Sequence, residues 1–65
     1  MLLKDMCFEA RRALDDSQKA FAKKIGSNQT EVSFIERGFI PEDKEKVNAI
    51  REIFNREIGG FTHDN

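Results

Sequence analysis

The stretch 17–38 constrains the fold most, because it carries start and stop signals for two short helices in direct succession. Ser17 is a favourable N-cap, and apolar residues recur behind it at helical spacing. Gly26 readily enters the left-handed backbone conformation in which many helices end. The pattern predicts a first helix over roughly 18–25 that stops at a tight turn.

A second helix is predicted immediately after this turn, over roughly 29–37. Asn28 provides its N-cap, Glu31 lies three residues further on as in a capping box, and Gly38 closes the helix. Two short helices joined at a glycine turn match the helix-turn-helix scheme, in which the second helix enters the DNA major groove. A glycine turn also occurs in many other small helical domains.

The second helix has two different faces when its residues are placed at intervals of about 100°. One side carries Val32, Ile35 and Glu36. The opposite side carries Thr30, Ser33, Phe34 and Arg37, which are spaced i, i+3, i+4 and i+7. We expect the first face to pack inward and the second to face outward.

A longer helix is predicted on each side of this pair. Residues 2–14 form an amphipathic helix whose apolar stripe consists of Leu3, Cys7, Ala10 and Leu14. Pro41 opens the last helix, with Glu42 and Asp43 in its first turn, where the helix dipole favours acids. The buried stripe of that helix is predicted at Val47, Ile50 and Phe54.

These helices place the chain in the all-α class as one small domain. A chain of 65 residues buries only about 60% of its unfolded surface and is too short for a second lobe. We assign 1–58 to the domain and 59–65 to a flexible tail. Because the sequence has six Phe and neither Trp nor Tyr, we expect Phe to fill much of the core.

No constellation of reactive side chains suggests an enzyme, a metal site or a cofactor. Cys7, the only cysteine, lies on an apolar helix stripe and is expected in the core. His63 stands alone in the tail, and Asp15-Asp16 are explained as helix punctuation. No apolar run reaches the roughly 20 residues that a membrane-spanning helix needs, so we expect a cytoplasmic protein with no membrane partner.

Several motifs together resemble a known family over roughly 3–54. They are Ser17-Gln18, Phe21-Ala22, Ile25-Gly26, the run Val32-Ser33-x-Ile35-Glu36-x-Gly38, and Pro41. This set is similar to the Cro and phage-repressor type of helix-turn-helix, often called XRE-like. The resemblance implies a compact bundle of four or five helices that binds double-stranded operator DNA, usually as a homodimer, and regulates transcription.

The resemblance also implies roles for individual residues. Gln18 matches a phosphate-contacting glutamine, and weaker phosphate candidates are Lys19, Lys23 and Lys24. The groove-facing, base-reading positions match Asn28, Gln29, Thr30, Ser33 and Phe34. Gln29 is the best candidate for base readout, because amide side chains can read adenine edges. Arg37 could reach a phosphate or a guanine, and we group it with the phosphate-contacting residues.

The roles of Phe34 and of the pair Arg11 and Glu36 each have an alternative. Phe34 could contact a thymine methyl, or it could fold over the neighbouring turn or lie in a protein interface. Arg11 matches an arginine that, in this family, pairs with the glutamate matching Glu36. Because Glu36 falls on the packed face, where an unpaired carboxylate is costly, we favour a partly buried structural ion pair over a solvated one.

Departures from the family pattern favour a rival function. The net charge is only −1, the connection from Gly38 to Pro41 is short, and Phe39-Ile40 replaces basic residues often found there. Fewer cations predict weaker DNA binding, because counterion release supplies much of the affinity. The rival is a protein-interaction module on the same fold, an antirepressor or antitoxin-like partner, that binds through Phe34, Phe39 and Ile40.

Two further departures concern the core and the C-terminal region. Asp16 stands where the family usually has an apolar residue, so one small core contact is expected to be missing or replaced. The family's short fifth helix is absent or reduced to 56–58. Apolar residues near this end, Phe54, Ile58 and Phe61, are expected to provide surface for a dimer.

Overall fold

Four α-helices follow one another in the computed structural model, which describes residues 1–59. They are α1 (Leu3–Ala13), α2 (Gln18–Lys24), α3 (Gln29–Glu36) and α4 (Lys44–Glu57). The all-α prediction is confirmed, and four helices agree with the predicted four- to five-helix bundle. The segment 56–58 is the end of α4 and its C-cap. The predicted tail lies outside the described residues from 60 onward.

The core forms where α1 packs against α3 and α4, and α2 closes it by packing on α3. Its fully buried side chains include Cys7, Phe21, Val32, Ile35 and Ile50. Burying an aliphatic side chain of this size stabilises a fold by about 1.5–3 kcal/mol. The reading of α1 as an amphipathic helix is confirmed, because the stripe predicted for it lies in or against this core.

The start of α4 differs from the prediction. Pro41 does not open the helix but is buried in the connection before it. The N-cap is Asp43, whose Oδ1 accepts a hydrogen bond from the Glu45 N–H at 2.9 Å, and the helix begins at Lys44. A carboxylate can satisfy a free N–H at the helix end, which proline cannot, and this favours the later start.

The buried face of α4 is also shifted relative to the prediction. Ile50 and Phe54 are buried as expected, but Val47 is only half-buried and Ile53 takes a buried position. Because Phe54 belongs to the core of its own domain, its assignment to a dimer surface is wrong. Ile58 packs partly against the same core, and Phe61 lies outside the described residues.

Phenylalanine contributes less to the core than the composition suggests. Phe21 and Phe54 are buried, whereas Phe8, Phe34 and Phe39 are between 39% and 48% exposed. The expectation that Phe fills much of the core is therefore wrong for the described residues. Aliphatic side chains and two alanines fill most of it instead, and these three rings lie at the surface.

Candidate nucleic-acid interface

Hydrogen bonds at both helix ends fix the turn between α2 and α3. Ser17 Oγ accepts from the Ala20 N–H at 3.0 Å, and Asn28 Oδ1 accepts from the Glu31 N–H at 2.8 Å. Both predicted N-caps are confirmed. Between the helices, Gly26 has φ of 74°, a conformation that glycine adopts more readily than other residues. The turn therefore defines the orientation of α3 relative to α2.

The side chain of Glu31 has other partners than a capping box provides. It accepts hydrogen bonds from the Ser27 hydroxyl and from Lys46 Nζ, which lies 2.7 Å from its Oε1. The hydrogen bond from Lys46 is the main cause that lowers the pKa of Glu31, and the same bond raises the pKa of Lys46. This ion pair ties the first turn of α3 to α4. Sequence spacing gives no signal for it.

One open concavity gathers residues from the outward face of α3 and the start of α2. Its lining consists of Gln18, Gln29, Thr30, Ser33, Phe34 and Arg37. Most of these side chains are exposed, whereas Val32 and Ile35 on the opposite face are fully buried. The predicted division of α3 into an inward and an outward face is therefore confirmed.

A second concavity follows the turn itself. It is lined by Lys19, Ala22, Lys23, Ser27, Asn28 and Gln29. Gln29 borders both concavities, while Lys19 and Asn28 lie on this second one only. The side-chain oxygen of Asn28 is committed to capping α3, so its amide nitrogen is the group that it can offer to a ligand.

Arg37 is held against two neighbours on the outward face of α3. Its guanidinium carbon lies 5.3 Å from the centre of the Phe34 ring, and its Nη2 donates to Ser33 Oγ at 2.7 Å. All three side chains line the first concavity. The i, i+3 and i, i+4 spacings of these residues are those at which helical side chains meet, so the sequence did carry a signal for this contact.

Arg11 and Glu36 form a bidentate ion pair between α1 and α3. Arg11 Nε lies 2.7 Å from Glu36 Oε2, and Nη2 lies 3.1 Å from Oε1. The two side chains are only 18% and 9% exposed, so the pair is partly buried. The hydrogen bond to Glu36 is the main cause that raises the pKa of Arg11.

Two further side chains converge on Glu36. Gln18 Nε2 donates to its Oε1 at 3.1 Å, and the Cys7 thiol lies 3.7 Å from its Oε2. The amide of Gln18 is therefore partly engaged within the protein, which the sequence did not predict. Burial, and secondarily the nearby Glu36 carboxylate, raise the pKa of Cys7 to about 12. A thiol in this state stays protonated and fits the core role predicted for it.

Asp16 stands at a position where the family usually has an apolar residue, and it makes polar contacts there. Lys24 Nζ lies 2.8 Å from its Oδ2, and Arg11 Nη1 donates to its main-chain oxygen at 3.1 Å. An ion pair therefore replaces the expected apolar contact. Lys24 is committed to this pair, which weakens its candidacy for phosphate contact.

The loop between α3 and α4 exposes apolar residues. Phe39 is 48% exposed and Ile40 is 66% exposed, and Ile40 shares a small apolar hollow with Leu2. The Phe39 N–H donates to the Phe34 carbonyl at 2.9 Å, and Gly38 has φ of 116°. The loop thus leaves α3 through a tight turn and directs its apolar side chains outward.

Within 1–59, none of the helices has both the length and the apolar character needed to cross a bilayer. The described part of the chain also contains no group of three or more His, Cys, Asp and Glu residues placed to hold a metal ion.

The fold and this surface define the chain as a helix-turn-helix protein. Residues 8–61, which are most of the chain, match the family model described as helix-turn-helix. The chain belongs to the Cro/C1-type, XRE-like helix-turn-helix family, which is a DNA-binding regulatory family. Comparison with curated proteins and with solved structures gave no significant match.

Proposed function

We propose that this protein is a sequence-specific transcriptional regulator that inserts α3 into the DNA major groove. The observation that carries the proposal is the first concavity, where polar side chains of α3 lie beside the start of α2. Val32 and Ile35 are fully buried and hold the helix against the core, so its opposite face is directed outward. This is the arrangement that the helix-turn-helix mode of binding requires.

Base readout is assigned to the exposed amide and hydroxyl groups of α3. Gln29 borders both concavities, and an amide can pair with the N6 and N7 edge of adenine. Thr30 and Ser33 add hydroxyl groups, which discriminate less. Asn28 contributes through its amide nitrogen, because its oxygen caps the helix.

Phosphate contacts are assigned to the start of α2. Gln18 lies in its first turn, where free N–H groups and the helix dipole favour an anion, and Lys19 adds a positive charge. Gln18 Nε2 carries two N–H groups, one of which is directed to Glu36. The other N–H group can donate to a phosphate. The hydrogen bond to Glu36 therefore orients the Gln18 side chain and leaves one donor available for DNA.

We further propose that the protein acts as a homodimer on a palindromic operator. A single module of this size contacts few base pairs, and two copies related by a two-fold axis double the recognised sequence. Phe54, which the sequence assigned to a C-terminal dimer surface, is buried in the core. Exposed apolar residues elsewhere, such as Leu2 and Ile40, provide an alternative surface for self-association.

Selection of bound sequences from random duplex DNA tests this function. We expect the wild-type protein to select two inverted half-sites with centres about 10 base pairs apart. Gln29→Ala is expected to lose preference at one position in each half-site, whereas Gln18→Ala should keep the motif and weaken binding to every sequence. Asn48→Ala, which removes an exposed amide from α4, is the matched control and should change neither.

The rival function, a protein-interaction module, is favoured by one observation. The loop residues Phe39 and Ile40 are strongly exposed and apolar where a DNA-binding loop would benefit from cations. Binding to bulk DNA at rising salt separates the two functions. A DNA-binding protein loses affinity steeply as salt rises, whereas an interaction module shows little DNA binding even at low salt.

A further inference from the structure

Phe34, Ser33 and Arg37 form one connected unit on the exposed face of α3. The ring of Phe34 supports the Arg37 guanidinium at 5.3 Å, and Ser33 Oγ accepts from its Nη2 at 2.7 Å. An exposed arginine is ordinarily free to rotate about several bonds. Here the ring on one side and the hydrogen bond to Ser33 restrict the positions that the guanidinium can take.

A positioned guanidinium matters more for a contact with a guanine base than for a contact with a phosphate. A phosphate accepts either a bidentate guanidinium fork or a simple point charge such as lysine, so phosphate contact does not depend on a positioned fork. Guanine presents O6 and N7 side by side in the major groove, and a planar guanidinium fork matches them with two parallel hydrogen bonds. A guanidinium held in place by Phe34 and Ser33, beside the base-reading residues, is therefore well suited to guanine.

We propose that Arg37 reads a guanine in the operator, with Phe34 and Ser33 as positioning residues that orient its guanidinium. This inference rests on the proposed function and changes the sequence-based grouping of Arg37 with the phosphate contacts. It also gives the exposed Phe34 ring a role that requires neither direct base contact nor a protein partner. Only one nitrogen of the guanidinium is directed to Ser33, and the remaining N–H groups can donate to the base.

The chain contains a similar pair that can serve as an internal control. The guanidinium of Arg12 on α1 lies 5.6 Å from the centre of the Phe8 ring, which is also exposed. Neither residue lines the concavity of α3. The variant Arg12→Lys therefore removes an arginine stacked on an aromatic ring, keeps the positive charge and leaves the proposed reading unit untouched.

The test is selection of bound DNA sequences by the wild-type protein and by four variants: Arg37→Lys, Arg37→Gln, Phe34→Leu and Arg12→Lys. We expect a guanine at one defined position of each wild-type half-site. Arg37→Lys should lower the preference for that guanine by about tenfold and leave the other positions unchanged. Arg37→Gln should shift the preferred base there toward adenine, because glutamine matches the adenine edge.

Phe34→Leu tests the positioning role, since it leaves every possible donor of Arg37 in place. We expect a weaker preference at the same guanine, with the charge and the salt dependence of binding unchanged. Arg12→Lys should leave the whole motif intact. Thermal unfolding followed by circular dichroism shows whether each variant is folded at the assay temperature.

Specific outcomes would overturn the inference. If Arg37→Lys and Arg37→Gln weaken binding to all sequences equally and keep the guanine preference, Arg37 contacts phosphate and the proposal is wrong. If Phe34→Leu leaves that preference unchanged, the ring has no positioning role. A wild-type protein that selects no motif at all contradicts the proposed function itself, so the two failures are distinguished.

Discussion

Arg11 and Glu36 join the first helix to the end of α3 through two parallel hydrogen bonds of 2.7 and 3.1 Å. Glu36 directly precedes the residue that we assign to guanine, and it also accepts a hydrogen bond from Gln18 at the start of α2. One carboxylate therefore ties three helices together. The geometry of the proposed DNA-binding face therefore depends on this contact as well as on the apolar core behind it.

Removal of Arg11 is expected to destabilise the domain strongly. Arg11→Met should lower the free energy of unfolding by about 3 kcal/mol, because it leaves a largely buried carboxylate without its counterion. A domain of this size has a total stability of roughly 3–10 kcal/mol, so this loss is a large fraction of the total. Urea denaturation followed by circular dichroism measures the change.

A neighbouring arginine provides the control for this prediction. Arg12→Met also removes an arginine from α1, but that side chain is exposed, so the expected change is within about 0.5 kcal/mol. The double variant Arg11→Met, Glu36→Gln should recover part of the loss, since it removes the unpaired charge. Equal stability of the two single variants would show that the Arg11–Glu36 pair contributes nothing specific.

The Cys7 thiol is expected to be unreactive in the folded protein. Burial raises its pKa from 9.0 to about 12, so the nucleophilic thiolate is scarce at pH 8. We expect labelling by a disulfide reagent to be slow in buffer and fast in denaturant. Rapid labelling of the native protein, at the rate of the unfolded chain, would contradict the buried position.

The same thiol should lower the free energy of unfolding at alkaline pH. A group whose folded pKa is raised stabilises the fold below its unfolded pKa, and this contribution is lost between pH 9.0 and about 12, where the unfolded chain releases the proton first. Cys7→Ala should therefore show a flatter decline of the free energy of unfolding over this range. Chemical denaturation at several pH values measures both slopes.

Lys46 is expected to govern part of the acid sensitivity of the protein. Its hydrogen bond lowers the pKa of Glu31, and a lowered carboxyl pKa stabilises the fold above the ordinary value of 4.5. This stabilisation is lost as the pH falls through the folded pKa. The melting temperature of the wild-type protein should thus fall more steeply below pH 4.5 than that of Lys46→Met. Lys44→Met, an exposed lysine of the same helix, should behave as wild type.

Short-range signals made much of this architecture predictable from sequence. Ser17, Gly26 and Asn28 act on neighbouring backbone groups, so their roles depend little on the rest of the fold. The two faces of α3 follow from helical periodicity in the same way. The structure bears out these predictions, which together define the helix pair and the side of α3 that faces outward.

Contacts between distant residues were harder to predict. Lys46 meets Glu31 only because α4 packs beside the first turn of α3, and no local pattern encodes that packing. The start of α4 was misplaced for a related reason: Pro41 is favourable at a helix start, but it is buried in the loop, and Asp43 caps the helix. The contact between Phe34 and Arg37 is an intermediate case, since its i, i+3 spacing is visible in the sequence but spacing alone does not show that the two side chains meet.

Asn28 has two proposed roles, and a pair of substitutions can separate them. Its oxygen caps α3 by accepting from the Glu31 N–H at 2.8 Å, and its amide nitrogen is assigned to DNA. Asn28→Ala removes both groups and should lower the free energy of unfolding by about 1 kcal/mol. Asn28→Ser keeps a cap acceptor without adding charge, so its stability should stay close to wild type.

Binding-site selection then decides whether Asn28 also reads bases. If it does, Asn28→Ser should be folded like the wild-type protein and yet lose preference at one position of each half-site, because a hydroxyl discriminates bases less than an amide. If Asn28 only caps the helix, Asn28→Ser should select the wild-type motif. Since Asn28→Ser retains the cap, a changed motif could not be attributed to fraying of the first turn of α3, and an unchanged motif would remove Asn28 from the base-reading set.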